Sequence, residues 1–288
     1  MKIVIDETLA KKRADIIVAG AATEYSRAAL SKLFDMGLVL LDGELARRGD
    51  KPKLGQTIQV DLTPIQQEPD VVELPILYED DDVIVVNKPA GIISHSRGRY
   101  WQEPSVASFI RDKTRHMTGD RAGIVHRLDR ATSGVMIAAK TEDAQKFLQK
   151  QFADRTVQKV YVALVKGTPK ESKAHIIAPL MRHPNTPKLF MVHENGKPAE
   201  TKYSVLQSQN GLSLVELYPL TGRTHQLRLH LDYIGHAIVG DELYSSDSAH
   251  EDRMYLHAKL LTIKLPGGNL KTFEAPLPEE FMDRLKSK

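Results

Sequence analysis

One stretch of this 288-residue chain concentrates side chains that could do chemistry, His126-Arg127-Leu128-Asp129-Arg130. The apolar pair Ile124-Val125 precedes it; Thr132-Ser133-Gly134 and a second apolar run, Val135 to Ala139, follow. This pattern predicts strand, exposed turn, strand, with the charges at the turn. Cations on both sides of Asp129 favour its ionised form. An ionised Asp on a loop rich in phosphate-binding side chains suits a nucleophile acting on a polyanion. An ion pair that merely fixes the turn accounts for the same charges as well. No second acid neighbours Asp129, whereas glycoside hydrolysis normally uses two carboxylates.

Two further stretches carry candidate groups. Along Val157–Val165, alternation puts Val157, Lys159, Tyr161, Ala163 and Val165 on one face. Tyr161 there is either a half-buried strand tyrosine or a ring on which a base stacks. In the run Thr221-Gly222-Arg223-Thr224-His225-Gln226-Leu227-Arg228-Leu229-His230, a turn leads into a helix predicted to start at Arg223. Arg223, Thr224 and His225 then fall in a first turn whose free N–H groups attract anions. His225, His230, His236 and His257 have no metal-binding spacing, so no metal is expected.

The elements that must hold these groups divide the chain. Residues 1–63 read as a small domain. Ser26 caps a helix bearing Leu30, Leu33 and Phe34 and stopped at Gly37. A strand over Leu38–Leu41 enters an Asp42-Gly43 turn, and Gln56–Leu62 closes the unit. Lys11, Lys12, Arg13, Arg27, Lys32, Arg47, Arg48, Lys51 and Lys53 could form a phosphate-binding face or a solvated surface. Residues 64–74, polar with Pro64 and Pro69, read as a linker, and residues 75–288 as a second, larger domain that carries the candidate groups. There, Val83–Val86 is a buried strand ending in Asn87-Lys88-Pro89-Ala90-Gly91, and a helix runs from Ser105 to about Arg115. Thr141 caps a helix with Ala144, Phe147, Leu148 and Phe152 inward, Leu212–Tyr218 is a strand, and Lys259–Lys264 is the last. The fold class is α+β.

These motifs together resemble the RluA-type pseudouridine synthases. The resemblance rests on His126-Arg127-Leu128-Asp129 with Thr132-Ser133-Gly134, on Asn87-Lys88-Pro89-Ala90-Gly91, and on Lys159-Val160-Tyr161-Val162-Ala163-Leu164-Val165. It extends to Gly222-Arg223-Thr224-His225-Gln226-Leu227-Arg228-Leu229-His230 and Leu256-His257-Ala258. Residues 1–63 are similar to the αL (S4-type) RNA-binding domain. They depart from it in Lys12-Arg13-Ala14-Asp15 for the usual Arg-Leu-Asp and in Asp42-Gly43 for Asn-Gly. The resemblance implies a mixed, largely antiparallel sheet flanked by helices, and isomerisation of uridine within RNA after the base is flipped out. It implies Asp129 as the catalytic carboxylate, Arg223 as its partner before Arg228, and Tyr161 as the ring stacked on the base and an aid in removing the C5 proton. Leu256 would line the pocket, and Arg127, His126, Arg130, His225 and Arg228 would bind substrate.

No cofactor is implied. The partner expected is structured RNA, large-subunit rRNA before tRNA. A binding-only ribosome-assembly protein on the same fold, or a hydrolase of nucleosides or phosphodiesters, are the competing readings. Net charge of +3 and a pI near 8.8 permit a nucleic-acid partner without demanding one. The absence of Cys excludes disulfides, thiolate chemistry and Cys-ligated zinc. With no signal-peptide pattern and no apolar run of membrane-spanning length, a cytoplasmic protein is expected, monomeric by default.

Overall fold

The structure is a computed structural model that describes all residues except 67–71, 97–102, 115–116, 118–120, 246–250 and 288. The middle of the expected linker and Arg115, where a helix is expected to end, therefore lie outside the described residues. The chain divides into two compact units, residues 1–70 with 96–104, and residues 71–95 with 105–288.

The smaller unit contains β1 (Lys2–Val4), α1 (Ala14–Ala21), α2 (Arg27–Asp35), β2 (Val39–Leu41), β3 (Glu44–Leu45), β4 (Thr57–Val60) and α3 (Thr63–Gln66). Its antiparallel sheet has the order β1-β4-β2-β3. Ser26 caps α2 by accepting from the Ala29 N–H at 3.2 Å. Leu30, Leu33 and Phe34 pack with Ile17, Val39 and Ile58. Asp42 and Gly43 take φ of +50° and +92°, the positive values a tight hairpin turn requires. The start of the expected linker is instead a helical turn, because Ile65 is buried in this core. The basic residues are exposed; Arg13 and Arg27 converge on the buried Asp15 at 3.0 and 2.7 Å.

The larger unit contains β5 (Ile76–Glu79), β6 (Val83–Lys88), α4 (Val106–Ile110), β7 (Ser133–Ala139), α5 (Glu142–Ala153), β8 (Gln158–Lys166) and β9 (Lys173–Ile177). It continues with β10 (Leu180–Arg182), β11 (Phe190–Val192), β12 (Glu200–Gln209), β13 (Leu212–Pro219), α6 (Gln226–Tyr233), β14 (Leu256–Lys264), β15 (Leu270–Glu274) and α7 (Glu280–Lys286). The main sheet runs β5-β6-β7-β14-β8-β13-β12-β9, with β15 also on β14. Its pairings are antiparallel except β7 with β14, where Ser133 and Gly134 lie opposite His257 and Ala258. The sheet is thus mixed and largely antiparallel. Alternate residues of each central strand face different helices: Val83 and Val85 pack with α5, Ile84 and Val86 with α4, Ala163 and Val165 with α6, and Val162 and Leu164 with α7. Burial on both faces explains the continuous apolar runs of β6, β7 and β8.

Four local expectations need correction. Ile124 makes only an isolated bridge, to Ala138, so the charged knot lies on a loop leading into β7 and not on a turn between two strands. Phe147 is 38% exposed; Ala144 and Leu148 are the buried residues of α5. The helix α6 begins at Gln226, three residues after Arg223. His225 adopts left-handed φ of +56°, and the Gln226 side chain accepts from the Arg223 N–H at 3.0 Å, which holds residues 221–225 in a turn. Lys259–Lys264 is not the last element, since β15 and α7 follow. Among the described residues no helix is long and apolar enough to cross a membrane.

Candidate active site

A cavity of about 730 Å³ opens in the larger unit between the 126–132 loop, β8 and the turn before α6. Asp129 and Tyr161 line it, and Leu256, the buried first residue of β14, closes part of its wall. Of the charged side chains on its surface, among the described residues, five are cations, Arg127, Arg155, Lys159, Arg223 and Arg228, and Asp129 is the one carboxylate. That balance suits a polyanionic ligand presenting one reacting group to one acid.

The loop carrying Asp129 is braced from below. The buried Ser94 hydroxyl donates to the Leu128 carbonyl at 2.8 Å, and the Leu128 N–H donates back at 2.9 Å. The Lys88 side chain, fully buried at the end of β6, donates to the carbonyls of Pro89, Ile92 and Arg130 at 3.0, 2.7 and 3.3 Å. Burial pushes the Lys88 ammonium down to about 7, against the attraction of Asp129. Thr132 closes the turn by donating its N–H to the Asp129 carbonyl at 3.1 Å.

Two donors flank Asp129. Arg228 Nη1 lies 3.8 Å and His225 Nε2 3.9 Å from Asp129 Oδ2. Arg228 is itself forked onto the buried Asp241 through Nε at 2.7 Å and Nη2 at 2.5 Å, with its guanidinium 5.0 Å from the Tyr244 ring centre. Asp129 is therefore held at arm's length, within Coulomb range of a cation but outside hydrogen-bond length. Burial, with Asp129 facing the ring, pushes the Tyr161 hydroxyl above its ordinary range. The phenol stays neutral at neutral pH.

The expected site residues separate into groups. Asp129, Tyr161, His225, Arg228 and Leu256 meet in the cavity. Arg127 lines it and is exposed. Arg223 also lines it, but its Nε donates to the Pro198 carbonyl at 3.1 Å, and the cation paired with Asp129 is Arg228. The helical offset explains the exchange: Arg228, in the first turn of α6, points back toward the loop, whereas Arg223 belongs to the preceding turn. His126 borders the cavity, yet its Nε2 accepts the Ile137 N–H at 3.1 Å and its ring stacks on Phe152 at 4.5 Å. Burial, reinforced by the Lys159 charge, pushes it down to about 3, so it is a neutral part of the scaffold. Arg130 turns away to the Gly91 carbonyl at 3.2 Å. Asp241, Tyr244, Lys88 and Ser94 were not anticipated as site residues. The Gly240-Asp241 pair and Asn87-Lys88-Pro89 were the available signals, but neither reveals which loop it will meet. Among the described residues no group of three or more His, Cys, Asp or Glu could hold a metal ion.

Comparison with known proteins gives a consistent result. Residues 82–233 match the family model described as RNA pseudouridylate synthase. The chain is 43% identical over 216 residues to the dual-specificity RNA pseudouridine synthase RluA of Escherichia coli (strain K12), covering 73% of this chain and 94% of that one. It is 34% identical over 301 residues to ribosomal large subunit pseudouridine synthase D of Nitrosomonas europaea, covering 100% and 87%. Among solved structures, human RNA pseudouridylate synthase domain containing 1 is similar with a TM-score of 0.62 and 30% identity, over 73% of this chain and 86% of that one.

Proposed function

Since the chain belongs to the RNA pseudouridylate synthase family, we propose that Asp129 is the carboxylate with which it converts uridine to pseudouridine. The enzyme is an RNA pseudouridine synthase, an isomerase. Uridine's N1–C1′ bond breaks, the uracil turns, C5 bonds to C1′, and the C5 proton is lost while N1 gains one. The observation that carries the reading is Asp129 as the one acid, among the described residues, in a cavity they line with five cations.

The residues divide the work as follows. A flipped uridine enters the cavity, leaving a gap in the stack that the exposed Arg127 side chain can fill. Cationic side chains at the cavity surface take the flanking phosphates. Tyr161 stacks on the uracil, and Leu256 packs beside it. Asp129 acts on the sugar or base as nucleophile or electrostatic stabiliser. Arg228 keeps it oriented through charge without a direct hydrogen bond. A neutral Tyr161 serves as a face for the base; as a phenolate it would lie beside the Asp129 charge, which disfavours it as the base for the C5 proton.

The substrate we favour is large-subunit rRNA, as in the name of the Nitrosomonas relative, with tRNA second. The smaller unit supports an S4-like RNA-binding role through its capped α2, its hairpin and its exposed basic residues. We place the enzyme in the cytoplasm as a monomer.

Pseudouridine mapping by carbodiimide labelling and primer extension tests this. The RNA comes from cells lacking the gene, restored with wild type or with Asp129→Ala. One site should vanish, return with wild type and stay absent with Asp129→Ala. Return of the site with Asp129→Ala would remove Asp129 from its role. Unmodified rRNA and tRNA transcripts given to the purified enzyme identify the substrate.

A further inference from the structure

We propose that Tyr244 is a positioning residue that fixes His225 in its Nε2–H tautomer and so aims a neutral donor at Asp129. This rests on the reading of Asp129 as the reacting carboxylate.

The proton count at Tyr244 selects the tautomer. Tyr244 Oη accepts the Phe190 N–H at 3.0 Å and lies 2.8 Å from His225 Nδ1. A phenol has one proton to give. Among the described residues, His225 Nδ1 is the one acceptor placed to receive it. If Nδ1 carried the imidazole proton, Tyr244 Oη would accept twice and its own proton would point at no partner, a costly state in a half-buried site. With the proton on Nε2, both contacts of Tyr244 are satisfied, Phe190 N–H to Tyr244 Oη and Tyr244 O–H to His225 Nδ1, and Nε2–H faces Asp129 Oδ2 at 3.9 Å, longer than a hydrogen bond, as a donor held ready beside it.

The ring cannot easily escape this arrangement. His225 sits at left-handed φ of +56°, and its ring packs edge-on against Phe190 at 5.7 Å and Tyr244 at 5.6 Å. The same Tyr244 ring lies against the Arg228 guanidinium. One tyrosine therefore orders both donors beside Asp129. The chemical consequence is a matter of charge. Arg228 shares its positive charge with Asp241, and a neutral His225 adds direction without a second full cation that would lock Asp129 in an ion pair.

The charged groups facing His225 are Asp129, Arg228, Asp241 and Arg127. The two acids favour the imidazolium; burial and the two arginines oppose it. A hydroxyl donating to Nδ1 adds to the neutral side, because only the neutral ring can accept.

The test uses the full-length enzyme with ¹⁵N-labelled histidine, without RNA, at pH 7.5. Signals of His225 are identified by their loss in His225→Gln. The expected result is a proton on Nε2 and a bare Nδ1. In Tyr244→Phe, which keeps the ring against Arg228, the tautomer should become mixed and the His225 pKa should rise by about one unit. Turnover, read as tritium release from [5-³H]uridine-labelled rRNA transcript, should fall about tenfold in kcat with KM within about twofold. A wild-type Nδ1–H tautomer or imidazolium, or an unchanged tautomer in Tyr244→Phe, overturns the proposal. The tautomer is read without substrate, so failure of the Asp129 assignment would show in turnover alone and remain distinguishable.

Discussion

Arg228 Nη1 stands 3.8 Å from Asp129 Oδ2, while Nε and Nη2 of the same guanidinium are committed to Asp241 at 2.7 and 2.5 Å. Both Arg228 and Asp241 are nearly fully buried. The guanidinium is thus a rigid bridge: two donors fix it to a buried acid and the third nitrogen presents charge to Asp129. Only arginine, with five donors in a planar fork, can do both.

Replacing Arg228 separates these roles. Arg228→Ala leaves Asp241 buried without its cation, which costs about 3–5 kcal/mol and lowers Tm sharply. Arg228→Lys retains a charge but cannot fork onto Asp241 and reach Asp129 together. Turnover should drop by roughly a hundredfold in a protein that still folds. Arg223→Ala, which removes a cavity cation held by the Pro198 carbonyl, should keep kcat within about fivefold and weaken RNA binding. Single-turnover tritium release checks all three; an Arg223→Ala defect as deep as that of Arg228→Lys would return the partner role to Arg223.

Lys88 makes a second prediction. Its ammonium satisfies three backbone carbonyls, one of them at Arg130, directly after Asp129. Lys88→Met fills similar space but leaves those carbonyls without their donor, at a cost of roughly 2–4 kcal/mol. Urea unfolding should show that loss, and turnover should fall as the Asp129 loop loses its brace. Unchanged stability would mean that the three carbonyls find water instead.

How far the sequence anticipated the site follows from contact range. Asp129 stood out by its type among flanking cations, Tyr161 and Leu256 stood out through the motifs they share with the family, and the strand periodicity of β8 already placed Tyr161 on one face with Lys159. The fold class was legible in the same way, from alternation and caps. The Arg223–Arg228 exchange was not legible. It depends on where α6 begins, and that is decided by Gln226 bonding back to Thr221 and Arg223 and by a left-handed His225. Asp241 and Tyr244 lay further out of reach, because their meaning comes from partners 13 and 19 residues away. His126 and Arg130 show the converse: their types suggested substrate, but the Ile137 N–H and the Gly91 carbonyl claim them.

Gly134 predicts a folding defect next to the site. It holds φ of +117°, and a Cβ there would stand 2.2 Å from the Ala258 carbonyl oxygen, where β7 and β14 pair in parallel. Backbone opposes that atom, so no side chain can yield. Gly134→Ala should separate the strand carrying Leu256 from the one that follows Asp129. Little soluble protein or a loss above about 4 kcal/mol is expected. A stably folded, active Gly134→Ala would show that the two strands can slide apart without cost.

Acid should destabilise the protein through histidines buried in their neutral form. The Ala275 carbonyl can only accept, so His257 donates Nε2–H to it at 3.2 Å and its Nδ1 accepts from the Ser133 hydroxyl at 2.9 Å, whose oxygen also accepts from Arg253 at 2.6 Å. Burial pushes His257 down to about 4 and His126 to about 3, whereas an unfolded imidazole titrates near 6.5. Between those values the unfolded chain binds more protons than the folded one. The stabilisation is therefore complete above about pH 6.5 and lost progressively below it, at about 1.4 kcal/mol per histidine per pH unit. At pH 4.5 the two residues together should remove about 5 kcal/mol, visible as a falling urea midpoint from pH 7.5 to 4.5. His257→Gln offers an acceptor and a donor but no titrating ring. It should be less stable than wild type at pH 7.5 yet show a shallower decline with acid. Parallel declines in the two proteins would mean that His257 takes up its proton in the folded state as readily as in the unfolded chain, and the Ser133–His257–Ala275 chain would not hold the ring neutral.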